Sequence, residues 1–132
     1  MAEQTVEAFM SRDVVCVEPS CSIDQVLQQI TARRISCVVV CEKECPVGII
    51  TERDVAQLAA DQIDGGKRLQ HTARELMTSP AVTVNASESV DSAIELTQFG
   101  KFRHLVVVDS ADCLVGLVTQ TDLLLAKTQQ SD

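Results

Sequence analysis

An internal repeat constrains the fold of this chain more than any other feature of its sequence. Between residues 10 and 40, eight positions are identical to those 67 residues later, and after one inserted residue five positions between 45 and 54 are identical to those 68 residues later. The first members of these pairs are Met10, Val15, Val17, Ser20, Ser22, Asp24, Val39 and Val40, then Cys45, Val47, Gly48, Thr51 and Asp54. Repeats of roughly 60 residues are small for independent cores, so we expect the two to pack on each other about a pseudo-twofold axis.

Each repeat has the pattern of a β-α-β-β-α unit. The expected strands are residues 14–17, 35–41 and 47–51 in the first repeat and 82–84, 105–108 and 114–119 in the second. Helices are expected after Ser22 and Ser89 and again from Glu52 and Gln120, and Ser22 with Gln25 has the spacing of a capping box. Short helices at 6–10 and 73–77 precede the repeats. The sequence therefore predicts an α+β protein with repeats at 5–62 and 73–127, packed through their sheets, and a solvated linker at 63–72.

Charge and composition limit the partners of the chain. The net charge of −8 opposes nucleic acid and anionic membranes as main partners, and 2% aromatic residues leave few platforms for base stacking. No apolar run approaches the roughly 20 residues that a spanning helix needs. The N-terminus has no basic segment followed by an apolar one, so we expect a cytoplasmic protein without a secretory signal.

Six cysteines need an interpretation, namely Cys16, Cys21, Cys37, Cys41, Cys45 and Cys113. An even count permits a disulfide framework, and clustered thiols permit metal or redox chemistry. A cytoplasmic location, a chain large enough to fold without staples and the lack of a C-x-x-C motif favour reduced structural thiols.

Two segments resemble the signature of CBS (cystathionine-β-synthase) domains: residues 47–54, VGIITERD, and residues 115–122, VGLVTQTD. The openings at 9–11 and 76–78 and the run at 104–109 are also similar to that family. The resemblance covers nearly the whole chain and implies a tandem pair, or Bateman module. Such a pair is expected to bind AMP, ADP, ATP or S-adenosylmethionine in clefts between its repeats. It is expected to form a homodimer and to regulate an attached or partner effector, without catalysis or an obligatory cofactor.

The T-x-x-D pattern carries the expected ligand contacts. Thr51 and Thr119 stand where a strand turns into a helix, so the free first-turn amides and the threonine hydroxyl can bind a phosphate. Asp54 and Asp122 follow three residues later, and the resemblance gives them the ribose hydroxyls. The same pattern also forms a plain helix cap, so the residues alone leave both interpretations open.

The resemblance also implies that the two clefts differ. Arg103 and His104 stand where the first repeat has Ser36 and Cys37. They are expected to face the cleft that holds Thr51 and Asp54, although a surface cation and a structural histidine would fit the same positions. Further ligand contacts are expected from the helix start and from the first strands, namely Glu52, Arg53, Val15, Cys16, Val82 and Thr83.

The sequence contains no recognisable catalytic motif, but it leaves two alternatives to nucleotide binding open. The chain has two histidines and neither belongs to a recognisable nucleophile, metal or P-loop motif, so we predict no catalytic and no metal-binding residues. Consecutive leucines at 123–125 and apolar residues at 55, 58 and 59 predict an interface with a second copy of the chain. A structural dimerisation module without ligand, or a cysteine-based redox or metal sensor, therefore stays open.

Overall fold

The computed structural model describes residues 4–35, 37–63, 71–100 and 102–130, so Ser36 and most of the predicted linker lie outside the described residues. The α+β class and the β-α-β-β-α order of each repeat are confirmed. The first repeat forms β1 (Cys16–Val17), α1 (Ile23–Arg33), β2 (Cys37–Glu42), β3 (Cys45–Thr51) and α2 (Glu52–Ile63), after a short 3-10 helix (Val6–Ala8). The second forms α3 (Ala73–Leu76), β4 (Thr83–Asn85), α4 (Val90–Gly100), β5 (His104–Val108), β6 (Leu114–Thr119) and α5 (Gln120–Gln130). Within the described ranges, no helix has both the length and the apolar character that crossing a bilayer requires.

The strands form two three-stranded sheets with the same topology, in the orders β1-β2-β3 and β4-β5-β6. The first strand of each sheet runs parallel to the central strand, and the third runs antiparallel to it. The central strands β2 and β5 are buried along almost their whole length. Burial on both faces explains why the sequence of these strands is a continuous apolar run rather than an alternating one.

The helix-start signals of the sequence are confirmed as caps. The amide of Gln25 donates to Ser22 Oγ at 3.2 Å, and the amide of Ser22 donates to Gln25 Oε1 at 3.4 Å. In the second repeat the amide of Ser92 donates to Ser89 Oγ at 3.1 Å. These bonds satisfy amides that the first turn of each helix leaves without a helical partner, and so they fix where α1 and α4 begin.

The single inserted residue of the second repeat lies in a hairpin loop, as its position in the sequence indicates. Strands β2 and β3 are joined by Lys43 and Glu44, both in the left-handed region with φ of 51° and 71°. The longer β5–β6 loop is held by the Asp109 carboxylate, which accepts hydrogen bonds from the amides of Ala111 and Cys113 at 2.9 and 3.0 Å. The longer loop needs only one left-handed residue, Asp112, with φ of 64°.

The chain divides into two compact units that do not coincide with the sequence repeats. One unit, called here the Val15 unit, runs from Val15 to Ala81; the other, the Val82 unit, combines the segment ending at Val14 with the chain from Val82 onward. The segment that opens each repeat in sequence therefore packs in the unit that contains the sheet of the other repeat. Repetition in the sequence gives no sign of this exchange.

Each exchanged segment pairs with the free edge of a sheet. Thr78 and Ile49 of β3 exchange two backbone hydrogen bonds of 2.9 and 3.1 Å, and Ser11 and Leu117 of β6 exchange two of 2.8 and 2.9 Å. The segments also bury apolar side chains, since Val6 and Ala73 are fully buried in the cores of their units. The exchange thus covers sheet edges that would otherwise present unpaired backbone groups.

Two glycines make room for these segments. A Cβ on Gly48 would collide with the thioether of Met77. A Cβ on Gly116 would lie 2.6 Å from Met10 Sδ and 2.8 Å from the backbone oxygen of Ser11. The sequence allowed either another backbone or a flat ligand to approach these glycines, and the exchanged segments occupy that space.

We predict that Gly116→Ala destabilises the fold more than Gly48→Ala. The side chain of Met77 can rotate away from a new methyl group, whereas the Ser11 backbone cannot move without breaking its bridge to Leu117. Overpacking of this kind costs about 1–3 kcal/mol, and we expect Gly116→Ala to fall in that range. Urea unfolding followed by circular dichroism measures both variants, and equal losses or the reverse order would contradict the argument.

Candidate functional site

In the Val15 unit, Asp54 lies in the first turn of α2 with both carboxylate oxygens engaged. Oδ2 accepts hydrogen bonds from the Thr51 amide at 2.9 Å and the Thr51 hydroxyl at 3.3 Å. Oδ1 accepts a hydrogen bond from the Thr78 hydroxyl at 3.3 Å. Since Thr51 ends β3 and Thr78 belongs to the exchanged segment, Asp54 joins three elements of this unit.

In the Val82 unit the matching pair forms a simpler, reciprocal cap. Asp122 Oδ2 accepts from the Thr119 amide at 3.1 Å, and the amide of Asp122 donates to Thr119 Oγ1 at 3.1 Å. The capping interpretation of T-x-x-D is therefore realised at the starts of both α2 and α5. Binding of a ligand by the same side chains stays a prediction.

Thr78 is the contact that sequence reasoning missed. A signal for it was present, because each repeat opens with methionine followed by a hydroxyl residue, Met10-Ser11 and Met77-Thr78. What the sequence did not show is that this opening segment lies against the edge strand of the other repeat and so reaches Asp54.

The ligand contacts expected on the first strand of each repeat divide into two kinds. Val15 and Val82 pack against the cores of their units, and their carbonyls accept hydrogen bonds from the amides of Val39 and Val106 at 3.0 and 2.9 Å. Cys16 and Thr83, the next residue in each case, are exposed. Of these four residues, Cys16 and Thr83 are therefore the two with solvent-accessible side chains that a ligand could contact.

Strand register places the expected contacts of the Val15 unit well apart. Cys37 of β2 pairs with Thr51 of β3, whereas Cys16 of β1 pairs with Val39, two residues further along β2. With strands spaced about 4.8 Å apart, Cys16 and Thr51 are separated by more than about 10 Å. A ligand that touches both must extend across the central strand, which excludes a bare inorganic anion.

Arg103 and His104 lie in the Val82 unit, at the start of α5. His104 pairs with Thr119 across β5 and β6, and the Arg103 carbonyl accepts a hydrogen bond from the Gln120 amide at 2.9 Å. The Arg103 side chain is exposed. Their expected approach to Thr51 and Asp54 stays a prediction.

Of the matching pair in the first repeat, Ser36 lies outside the described residues and Cys37 is buried in β2. Glu52 and Arg53 are exposed at the start of α2.

All six cysteines are free thiols. Burial raises the pKa of Cys37 to about 11. Burial, followed by the nearby thiols of Cys16 and Cys45, raises the pKa of Cys41 to about 12. Both buried thiols therefore stay protonated and weakly nucleophilic at neutral pH. The part of the chain that the structure describes contains no cluster of three or more histidine, cysteine, aspartate or glutamate side chains suited to a metal ion.

Comparison with known proteins decides the family. The sequence matches the CBS domain twice, over residues 6–61 and 73–128. The chain belongs to the CBS domain family. The two matches correspond to the two repeats, and both end in the helices that the T-x-x-D caps begin.

Relatives show how such a pair occurs in other proteins. The chain is 33% identical over 125 residues to an uncharacterised protein of Methanopyrus kandleri, covering 94% of this chain and 63% of that protein. It is 27% identical over 118 residues to an inosine-5'-monophosphate dehydrogenase of Thermoplasma acidophilum, covering 89% of this chain but only 22% of the enzyme. The chain thus spans less than two thirds of the length of both relatives.

A solved structure matches almost end to end. CBSX2, a CBS-pair protein of Arabidopsis thaliana, was crystallised in complex with AMP. It superposes with a TM-score of 0.80 and 26% sequence identity, covering 96% of this chain and 97% of that one.

We predict that Asp54→Ala and Asp122→Ala each lower the free energy of unfolding by about 1 kcal/mol in the absence of any nucleotide, because each removes a helix cap. The loss should be larger for Asp54, which also holds Thr78. The matched variants Asp54→Asn and Asp122→Asn keep an acceptor oxygen and should retain part of the stability. Urea titration measures all four, and an unchanged midpoint for both alanine variants would show that the caps contribute nothing.

Proposed function

We propose that this CBS pair is a non-catalytic regulatory module that binds an adenosine-containing nucleotide and signals to an attached or partner effector. The carrying observation is the repeated T-x-x-D arrangement, which sets a threonine hydroxyl, a carboxylate and a helix N-terminus together in both units. The similarity to CBSX2, solved with AMP, supports an adenine nucleotide as the ligand.

Binding requires Asp54 to exchange one set of hydrogen bonds for another. In the cap its carboxylate holds the Thr51 amide and the hydroxyls of Thr51 and Thr78. Turning toward a ribose diol loses about 1 kcal/mol of capping. Hydrogen bonds to a charged group contribute roughly 1.5–3 kcal/mol each, so two bonds to the diol offset that loss. The same movement frees the Thr51 amide, at the positive end of α2, to donate a hydrogen bond to a phosphate.

We further infer that the two sites bind with unequal strength, the tighter one using Thr51 and Asp54 together with Arg103 and His104. One charged hydrogen bond from Arg103 to phosphate is worth roughly 1.5–3 kcal/mol. The Thr78 hydroxyl holds Asp54 in its cap, but at 3.3 Å this hydrogen bond is longer than a well-formed bond to a carboxylate and opposes release only weakly. The contribution of Arg103 therefore exceeds the opposing contribution of Thr78, and the affinities of the two sites should differ roughly 10- to 100-fold.

We predict that Asp54→Ala abolishes most tight AMP binding, whereas Asp122→Ala leaves it largely intact. The two variants are matched controls because both remove a helix cap. Isothermal calorimetry with AMP, ATP and S-adenosylmethionine measures affinity, and each variant's melting temperature reports the loss of the cap separately. If only Asp122→Ala removes the tight site, the assignment of sites is reversed. If the wild-type chain binds none of these ligands at millimolar concentration, the T-x-x-D pattern serves as a cap alone.

We propose a second copy of this chain as the partner of α5. Of the three consecutive leucines, Leu123 is fully buried in the core of the Val82 unit, but Leu124 and Leu125 are 43% and 56% exposed. Phe99 on the adjacent α4 is 92% exposed. The expected contribution of α2 is smaller, because Leu58 is buried within the chain. An apolar surface of this kind is typical of an isologous interface.

We predict that Leu124→Asp with Leu125→Asp converts a dimer to a monomer, since charge at these exposed positions opposes burial in an interface. Size-exclusion chromatography with light scattering at tens of micromolar measures the mass. Gln28→Asp, at an exposed polar position of α1 in the Val15 unit, is the matched control and should remain dimeric. A monomeric wild-type chain contradicts this interface, while a dimer that binds no nucleotide favours a purely structural module.

A further inference from the structure

Two cysteines of the Val15 unit, Cys16 and Cys41, are diagonal neighbours on adjacent strands. Cys16 of β1 pairs in parallel register with Val39, and Cys41 lies two residues further along β2, so register places both side chains on the same face of the sheet. The pairing of β2 with β3 shifts between Val40 and Cys41, and such a bulge re-aims the side chain that follows it. The neighbouring thiol of Cys16 contributes, after burial, to the raised pKa of Cys41.

We propose that Cys16 and Cys41 are a redox pair that a hydroperoxide converts into a reversible intramolecular disulfide. Neither residue is assigned this role by the family match, and the pair lies in one unit only. At the positions equivalent to Cys16 and Cys41, the second repeat has Thr83 and Val108.

The two thiols differ in access, which sets the order of reaction. Cys16 is exposed, whereas Cys41 is only 7% exposed. Cys41 nevertheless lines an open groove of about 580 Å³, together with Glu18, Lys43 and Arg74. A hydroperoxide therefore meets Cys16 first, and the neighbouring Cys41 acts as the resolving thiol.

The chemistry balances without any further reagent. The Cys16 thiolate attacks one oxygen of the hydroperoxide, the O–O bond breaks, and a sulfenic acid forms with release of the alcohol, or of water when the oxidant is hydrogen peroxide. Cys41, which burial keeps protonated at neutral pH, then attacks the sulfenic sulfur as its proton passes to the departing hydroxyl, so that the S–S bond forms and water leaves. The two thiols lose two electrons and the peroxide gains them.

Closure requires a movement of the backbone, and β1 can supply it. Diagonal neighbours on adjacent strands have Cα atoms about 8 Å apart, whereas a disulfide needs Cα atoms within about 7 Å and sulfur atoms at about 2.05 Å. Strand β1 is two residues long and lies at the edge of its sheet, so it can shift without breaking an internal ladder. Because Cys16 and Cys41 are not directly opposite each other, the bond stores strain, and strained disulfides are readily reduced.

Disulfide mapping tests the pair. The folded chain is treated with hydrogen peroxide, alkylated without reduction, digested and analysed by mass spectrometry. We expect a peptide linking Cys16 to Cys41, lost on treatment with dithiothreitol and preceded by a sulfenic acid at Cys16 that dimedone traps. Cys16→Thr and Cys41→Val, which copy the second repeat, should each abolish the link. Cys45→Ser and Cys113→Ser, variants at positions equivalent between the repeats, should retain it.

Several outcomes would overturn the proposal. A link between Cys41 and Cys45, a link between chains, or sulfinic acid at Cys16 without any link each shows that the two thiols do not react as a pair. Loss of the link in Cys16→Thr is informative even if Cys41→Val fails to fold, because Cys16 is exposed. Its circular dichroism spectrum confirms that the variant remains folded.

The effect on ligand binding rests on the proposed function, because Cys16 is one of the residues expected at the nucleotide. We expect the oxidised chain to bind AMP at least about tenfold more weakly at its tight site, and dithiothreitol to restore the affinity. Cys16→Thr should bind AMP equally before and after peroxide. If the disulfide forms but the reduced chain binds no nucleotide, the proposed function fails while the redox pair stands. Unchanged AMP affinity on oxidation refutes the coupling alone.

Discussion

The backbone bridges between Thr78 and Ile49 and between Ser11 and Leu117 are the interactions on which the rest of the structure depends. Each sheet has three strands, and its third strand would present an unpaired edge without the exchanged segment. The bridges bring Val6 and Ala73 into the cores, where burial of a valine side chain contributes about 1.5–3 kcal/mol. The exchanged segments also explain why Gly48 and Gly116 carry no side chain, because a Cβ would meet the Met77 side chain at Gly48 and the Ser11 backbone at Gly116.

The exchange also shapes the candidate site. Thr78 enters the Val15 unit with the exchanged segment, and its hydroxyl donates a hydrogen bond to the second carboxylate oxygen of Asp54. The position of Asp54, the residue proposed to bind the ribose, therefore depends on the pairing of this segment with the edge of the sheet. The atoms proposed to bind a nucleotide are those that cap α2 and α5. Stability and binding therefore compete for the same carboxylates, and a cap worth about 1 kcal/mol is weak enough for a charged ligand to displace.

The two units share a topology but differ in their chemistry. The Val15 unit contains five of the six cysteines, including the diagonal neighbours Cys16 and Cys41. The Val82 unit instead contains Arg103, His104 and the exposed apolar residues of α4 and α5. Positions that are identical in the two repeats form the strands and the T-x-x-D caps. Positions that differ provide the Arg103 cation, the proposed redox pair and the proposed dimer interface.

The sequence by itself determined the local elements and the family. Ser22 with Gln25 fixed the start of α1, the valine runs fixed the buried central strands, and the inserted residue fell in the β5–β6 loop. These features depend on residues close together in the chain, so a repeat and its periodicity reveal them.

Only the tertiary structure decided which repeat each opening segment joins, and therefore that Thr78 reaches Asp54 and that Met10 lies over Gly116. It also decided that Leu123 is buried while Leu124 and Leu125 are exposed, and that Cys16 lies on the strand beside Cys41. The physical reason is that these contacts join residues distant in sequence. Backbone pairing at a sheet edge specifies them, and such pairing requires little of the side chains that a sequence displays.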